Sequence, residues 1–495
     1  MATLKLIPSD RAFFLLVSNA VFANPFSLKR EEIDKKIAAS SENQSFKELI
    51  AQASAQISKR LQQLDINGTI KINDFRESDR YIMRNVFLFD VFHKFKNRFD
   101  DIILKQIAAG NEPIQVPFAK EALTLLTKRG LDSSAANECF SLFYQIRRAF
   151  HFIERGLIGQ SNSMRQLRMN LWNNIFTHDI GYYERYIIDK MEDFSTLLLG
   201  PTGCGKGAAA AAIGRSGFIH FDEKKNVFAE SFTKSFVPIN LSQYPESLIE
   251  SELFGHSKGA FTGATTAHNG LFALCGRYGS VFLDEIGDIN IQMQIKLLKI
   301  LEERIFSPVG SHEKIKFQGR VIAATNKSIA NLRKQNKFRD DFYYRLCSDC
   351  ITVPSLQQRI QENPQEIDEL ITYTIERITG HKADELAQAV KEVIDKNLPK
   401  DYSWPGNVRE LAQCIRRVII KRHYAGDIIS KPDDAKSKLF LDIEEGQISA
   451  ENLLANYCAL IYEKYSTYED VAKITKLDRR TVKKYIQKYN QENTG

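Results

Sequence analysis

The sequence predicts an α/β core built on a parallel sheet, preceded by a mainly helical region and followed by a helix-turn-helix. Three observations carry that expectation. The apolar run Thr196-Leu197-Leu198-Leu199 leads into the glycine turn Gly200-Pro201-Thr202-Gly203-Cys204-Gly205-Lys206-Gly207, and Ala208 to Ile213 then reads as a helix. Ser280-Val281-Phe282-Leu283 is a buried-strand pattern ending on the acids Asp284-Glu285. Near the end of the chain, Tyr468 to Thr475 and Asp478 to Ile486 are spaced as two helices about a short turn at Lys476-Leu477.

Strand, glycine turn and helix occur in the order a phosphate-binding loop requires. Backbone N–H groups and the helix N-terminus face the phosphates of ATP, and Lys206 neutralises their charge. Gly207 stands where such loops usually carry Ser or Thr, so no hydroxyl there can ligate magnesium. Asp284 and Glu285 lie at the carboxyl end of a strand, where open α/β sheets bind ligands. Asp284 is placed to hold Mg2+ mostly through water, and Glu285 to polarise the water that attacks the γ-phosphate. A third strand, Val321-Ile322-Ala323-Ala324, ends on Thr325-Asn326.

Between the first two sites lies Gly259-Ala260-Phe261-Thr262-Gly263-Ala264. Small residues bracket one aromatic and one hydroxyl, which is poor core material and suits a loop that presents Phe261 to a partner. This string resembles the GAFTGA loop of the bacterial enhancer-binding AAA+ ATPases, which activate RNA polymerase carrying sigma-54. Asp284-Glu285 then resembles that family's Walker B motif and Asn326 its sensor I. Asn240 resembles the switch asparagine, although any strand-end Asn would look the same. Phe338 to Leu346 resembles the FRxDLYYRL segment, with Arg339 and Arg345 as fingers reaching a neighbour's nucleotide. An exposed helix with Arg–Asp pairs gives the same pattern. Trp404-Pro405-Gly406-Asn407-Val408-Arg409-Glu410-Leu411 is similar to the sensor II motif WPGNVREL, with Arg409 directed at phosphate, and Leu157 to Trp172 is similar to the segment beside the adenine.

The resemblance covers about Gly156 to Arg422. It implies an ATP-hydrolysing AAA+ ring, since fingers acting in trans require head-to-tail contacts, and, because the family forms hexamers, a hexameric one. It also implies contact of residues 259–264 with the sigma-54 holoenzyme. The expected division is a helical regulatory region (1–150), an α/β ATPase subdomain (156–355), a helical lid (356–424), a linker (425–449) and the helix-turn-helix (450–495). In that last segment Asp478 would cap the second helix, while Arg479, Arg480, Thr481, Lys483 and Lys484 would meet double-stranded DNA. A basic amphipathic helix without DNA remains the alternative. Two rival functions stay open, a DNA-binding repressor or scaffold that keeps the ring without touching sigma-54, and a general remodelling ATPase.

Composition bounds the rest. With 495 residues, 43% hydrophobic and 26% charged, the chain can fill about three cores. The net charge of +7 fits an acidic partner without proving one. Seven scattered cysteines give no disulfide framework and point to a reducing cytoplasm, and Cys347-Ser348-Asp349-Cys350 is a lone CxxC. The stretch from Lys5 to Ala23 mimics a signal peptide, but Ser18 and Asn19 break its apolar run, so a core segment is expected. No stretch is long enough to span a membrane. Residues 1–150 lack a receiver-type phosphoacceptor pattern, and the stripe Phe87, Phe89, Phe92, Phe95 and Phe99 is expected to be core.

Overall fold

The computed structural model describes residues 3–40, 46–65, 69–426, 439, 443, 446 and 448–493. Most of the expected linker, 425–449, therefore lies outside the described residues. The chain divides into two compact units, one of residues 1–395 and 399–422, the other of residues 396–398 and 423–495.

At the centre of the first unit are five strands: β1 (Thr196–Leu199), β2 (Phe236–Asn240), β3 (Ser280–Asp284), β4 (Arg320–Thr325) and β5 (Asp349–Thr352). They run parallel in the order β5-β1-β4-β3-β2. Every residue of β4 is buried, as expected of a central strand covered on both faces. Alternate residues feed two cores. Leu198, Phe282, Ile322 and Ala324 join one with helices α7 (Asn162–Phe176) and α8 (Lys206–Gly214), while Leu197, Val281, Leu283 and Val321 join the other. Pro238 sits in the edge strand β2, where a missing N–H costs least.

The sheet is pinned at its amino end by a buried guanidinium. Arg320 donates to the Phe194 carbonyl (2.8 Å), Asn174 Oδ1 (2.8 Å) and Thr196 Oγ1 (3.0 Å), and Asn174 Nδ2 donates to Asp349 Oδ2 (2.6 Å). Four elements, β1, β4, β5 and α7, are thereby fixed to one another. Burial pulls Arg320 down to about 10, against the opposing pull of Asp349, and it stays charged at neutral pH.

Before α7 come six helices: α1 (Pro8–Phe22), α2 (Leu28–Ala38), α3 (Phe46–Leu64), α4 (Glu77–Ala109), α5 (Ala119–Lys128) and α6 (Ser133–Gly156). The signal-like stretch is α1, and it buries Phe14, Val17 and Ala20 against Met83, Val86 and Phe87 of α4. Its helical spacing places these three residues on one face. The sequence puts a boundary near residue 150, whereas α6 runs through that point to Gly156. Its Leu142, Ala149 and Ile153 share a core with Ala209 and Ile213 of α8. Arg148 of α6 is fully buried, donates to the Arg215 and Gly217 carbonyls (2.8 and 2.6 Å), and lies over the Tyr144 ring. Phe140 and Tyr144 also pack on Phe221, Phe228 and Phe232, which lie beyond the P-loop helix.

The lid contains α9 (Leu356–Glu362), α10 (Glu366–Thr379) and α11 (Asn407–Lys421). A buried ion pair, Arg359 Nη2 to Glu366 Oε2 at 2.6 Å, joins the first two. The same groups hold the segment before α7, because Arg359 donates to the Ile158 carbonyl (2.5 Å) and Ser161 N donates to Glu366 Oε1 (2.6 Å). Gly159, at φ +123°, leaves room for the carboxylate; any Cβ there would collide with it.

The second unit contains α12 (Ala450–Tyr465), α13 (Tyr468–Thr475) and α14 (Arg479–Asn493), closed on Cys458, Val471, Val482 and Ile486. Between α13 and α14, Lys476 adopts φ +56°, the left-handed conformation that glycine supplies in many such turns.

Because Glu366 is fully buried and answers Arg359, Glu366→Ala would strand a buried guanidinium. It should lower stability by about 3–5 kcal/mol in urea unfolding, and Glu366→Gln, which keeps one acceptor, should lower it less.

Candidate functional site

The P-loop follows β1, and its backbone needs glycine at three places: Gly200, Gly203 and Gly205 have φ of +156°, +77° and +113°. Gly205 is the N-cap of α8 and has no side chain with which to cap it, so the first helical turn is left for an incoming anion. Lys206 is buried inside the loop, with Nζ donating to the Gly200 and Pro201 carbonyls at 2.9 and 3.2 Å. Cys204 is buried beneath the loop, and burial raises its thiol pKa. A Cβ on Gly207 would meet nothing within 4 Å, which leaves open space where other P-loops place a hydroxyl.

Parallel register brings the remaining groups to the same edge. Leu199 at the end of β1 pairs with Thr325 of β4, and Leu283 of β3 pairs with Ala323. Asn326, just past β4, donates from Nδ2 to Thr202 Oγ1 (2.8 Å), and its backbone N–H reaches Glu285 Oε2 (3.4 Å). Glu285 sits in the left-handed region at φ +57°, a conformation that costs a non-glycine residue energy and turns the chain sharply after β3. Asp284 accepts from the Glu285 N–H at 3.0 Å. The P-loop, both acids and Asn326 thus form one cluster, with carboxylates placed to hold a divalent cation and a water beside a phosphate cradle.

The lid closes this cluster from the other side. Asn407, buried at φ +53°, donates from Nδ2 to the Thr202 carbonyl (3.0 Å) and accepts the Leu356 N–H (2.8 Å). A Cβ on Gly203 would collide with the Gly406 carbonyl and stand 2.9 Å from Arg409 Cβ. Arg409 is therefore beside the P-loop and exposed. Asn407 and Glu410, which accepts from Tyr402 Oη (2.5 Å) and the Gly406 N–H (2.7 Å), are site-forming residues to which no role is assigned above. Their signal was present, since both lie in the Trp404 to Leu411 string.

Other expected residues direct their side-chain bonds away from the cluster. Asn240 pairs in register with Asp284, but its Oδ1 accepts from Ser242 N and Oγ (3.0 and 2.7 Å), so it caps its own turn here. Arg339 is partly exposed and forked onto Asp341 (3.0 and 2.6 Å). Arg345 gives Nε and Nη2 to the Leu301 carbonyl (2.9 and 2.8 Å). Close by, donation from Cys350 and then from Tyr343 lowers the Cys347 thiol to about 7, despite burial. Among the described residues no cluster of three or more His, Cys, Asp or Glu could hold a metal ion.

Residues 259–264 cap a short antiparallel ribbon, Gly255–His256 against His268–Asn269. The Gly259 N–H donates to the Ala264 carbonyl (2.8 Å) and the Ala264 N–H to the Phe261 carbonyl (3.0 Å), closing a tight loop that needs φ of +81° and +104° at Gly259 and Gly263. Phe261 is 41% exposed, and its ring meets His256 edge-on (4.9 Å between centroids). A second ribbon, Ile305–Phe306 with Ile315–Lys316, braces the base of the loop, since Ser257 N donates to the Val309 carbonyl and Val309 N to the Gly255 carbonyl (3.0 and 2.9 Å). Gly310 lies against Ala260 and was invisible in the sequence.

In the second unit Asp478 caps α14, accepting the Arg480 and Thr481 N–H groups (2.9 and 3.0 Å) and bonding the Thr481 hydroxyl. The Thr481 hydroxyl first, then these N–H groups, hold its carboxyl below the usual range. Val482 and Ile486 turn inward; Arg479, Arg480, Lys483 and Lys484 are exposed, with Arg479 tied to Glu469 at 2.8 Å.

The sheet order and this site define a P-loop nucleotide-binding core with a helical lid, of the AAA+ class. Residues 183–352 match the Sigma-54 interaction domain, and residues 361–434 match the AAA+ ATPase lid domain. The chain is 36% identical over 239 residues to "Regulatory protein AtoC" of Escherichia coli (strain K12), covering 48% of this chain and 47% of that protein. It is 34% identical over 291 residues to the "Nif-specific regulatory protein" of Azotobacter vinelandii, covering 58% and 48%. Over 261 residues it is 36% identical to "Uncharacterized protein in HyuA 5'region" of Pseudomonas sp. (strain NS671), covering 53% and 82%. The chain belongs to the family that carries the sigma-54 interaction domain with an AAA+ lid. It spans about half the length of the first two relatives.

The lid contact yields a paired expectation. Gly203→Ala should weaken binding of a fluorescent ATP analogue by at least about tenfold, because the collision is with backbone, whereas Gly207→Ala, with open space around it, should stay within about twofold.

Proposed function

We propose that this chain is an ATP-driven transcription activator that binds DNA upstream of its promoters and remodels RNA polymerase carrying sigma-54. The observation that carries the reading is Phe261, an exposed aromatic on a glycine-hinged, externally braced loop, in the same unit as a complete phosphate and carboxylate cluster.

In the hydrolytic step Lys206 and the first turn of α8 bind and neutralise the phosphates, and Glu285 orients the attacking water and takes its proton. Asn326 spans Thr202 and Glu285, so it is placed to register whether the γ-phosphate is present. Asp284 would hold magnesium, which supplies charge neutralisation at the phosphate oxygens. Arg409 meets phosphate from the lid. Arg339 and Arg345 act on a neighbour's nucleotide in a ring, which we take to be a hexamer, and Asn240 acts as the switch once it leaves Ser242. Residues 1–150 would carry the regulatory input and α14 the DNA contact, in the cytoplasm, where ATP is available. No helix among the described residues is long and apolar enough to cross a membrane.

Two variants separate motor from tool. Glu285→Gln should keep ATP affinity and lose hydrolysis by about a hundredfold or more. Phe261→Ala should keep hydrolysis and lose retention of sigma-54 in the presence of ADP and aluminium fluoride. If the unmodified protein retains no sigma-54 in any nucleotide state, the repressor or scaffold reading replaces this one.

The DNA contact is tested by salt titration. Changing Arg479, Arg480, Lys483 and Lys484 together to Ala should abolish specific binding and flatten its salt dependence by about one unit of slope per lost phosphate contact. Unchanged affinity would move the contact elsewhere.

A further inference from the structure

An aromatic-lined cavity lies away from the nucleotide site. It measures about 490 Å3, within the range of small-molecule sites, and is walled by α1, α4 and α6 together with Trp172 of α7. Its apolar surface is aromatic: Phe89, Phe92, Phe143, Phe150 and Trp172 all face it. Phe87, Phe95 and Phe99 do serve as core, but Phe89 and Phe92 from the same stripe open onto this space.

Charge in the wall is net positive by one. Arg30, Arg84, Lys96, Arg147 and Arg155 line the cavity with the carboxylates Asp100, Glu154 and Glu184, and Asp34 backs Arg30 at 2.8 Å. Arg84 is engaged by Glu184 (2.6 Å) and Arg147 by Asp100 (2.7 Å), so these cations are held in fixed positions. His93, stacked on Phe89 at 4.0 Å between ring centroids, reports the resulting field. Enclosure, and then the charges of Arg30, Lys96 and Arg147, push its imidazole well below the ordinary value. An imidazole disfavoured as a cation, aromatic walls and a net positive lining suit a ligand with a flat apolar body and one anionic group.

We infer that this cavity is a binding site for an anionic aromatic small molecule, formed jointly by the N-terminal helices and the first helix of the ATPase core. Trp172 gives the site its own reporter, because the chain has two tryptophans and Trp404→Phe leaves Trp172 alone.

The probe is 1-anilinonaphthalene-8-sulfonate, compared with N-phenyl-1-naphthylamine, which has the same aromatic body without the charge. Full-length Trp404→Phe protein should bind one sulfonate dye per chain, with energy transfer from Trp172, at least about tenfold more tightly than the uncharged dye. Lys96→Gln should weaken the sulfonate dye several-fold and leave the uncharged one unchanged. Ala23→Phe, which adds bulk at the cavity wall, should weaken both. Thermal melts and circular dichroism establish that each variant is folded. Equal or tighter binding of the uncharged dye, absence of transfer from Trp172, or sulfonate-dye binding unaltered by Ala23→Phe in folded protein would each overturn the inference.

Discussion

The nucleotide site depends on a constraint of the sheet, that five parallel strands with β4 between β1 and β3 must end at one edge. Parallel pairing leaves each strand's carboxyl end facing the same way, so the P-loop, the acids after β3 and the Asn after β4 converge without any direct sequence link. The polar anchor at the opposite edge keeps that convergence in register. Arg320 makes its bonds to Thr196, Asn174 and Phe194 from the start of β4, and Asn174 passes the tie on to β5 through Asp349. Sliding β4 against β1 would break these bonds inside the core, where an unpaired guanidinium is costly.

Two further devices turn a binding edge into a responsive one. Asn407 and the Gly203–Gly406 contact seat the lid on the P-loop by backbone and side-chain polar groups, with no side chain at Gly203 to hold them apart. The buried Arg359–Glu366 pair holds the lid to the segment before α7. A lid clamped at both places feels any displacement of the phosphates directly. The loop carrying Phe261 is built differently, with two glycine hinges inside it and a neighbouring ribbon bracing its base, so its tip can move while its origin stays fixed.

Much of this was legible in the residues, for reasons that differ by element. Short apolar runs ending in glycine, acid or the Thr325-Asn326 pair identified β1, β3 and β4, since central parallel strands must be apolar on both faces. The spacing about Lys476 identified the turn between α13 and α14, even though no glycine stands there. The edge strands were weaker signals; β5 carries Asp349 and Cys350, and β2 contains Pro238. The seating of the lid on the P-loop through Asn407 and Gly203 was out of reach, because those contacts join segments about two hundred residues apart, even though each segment stood out by itself. The same holds for the cavity: a phenylalanine stripe shows which face of α4 is apolar, not whether the opposing helices fill it.

Helix α6 has a consequence for how the two ends of the first unit can communicate. Its first half belongs to the aromatic core under α4 and α5, its second half to the core under the P-loop helix, and no break separates them. A continuous helix is stiff over this length, so it behaves as a lever rather than a tether. Displacements at its early turns arrive at Arg148, and from there at the carbonyls that follow α8, as small rigid shifts. A truncation at residue 150 would cut that lever in mid-span and bare the face that the ATPase core packs against. Removing the N-terminal helices is thus a change to the motor's own interior.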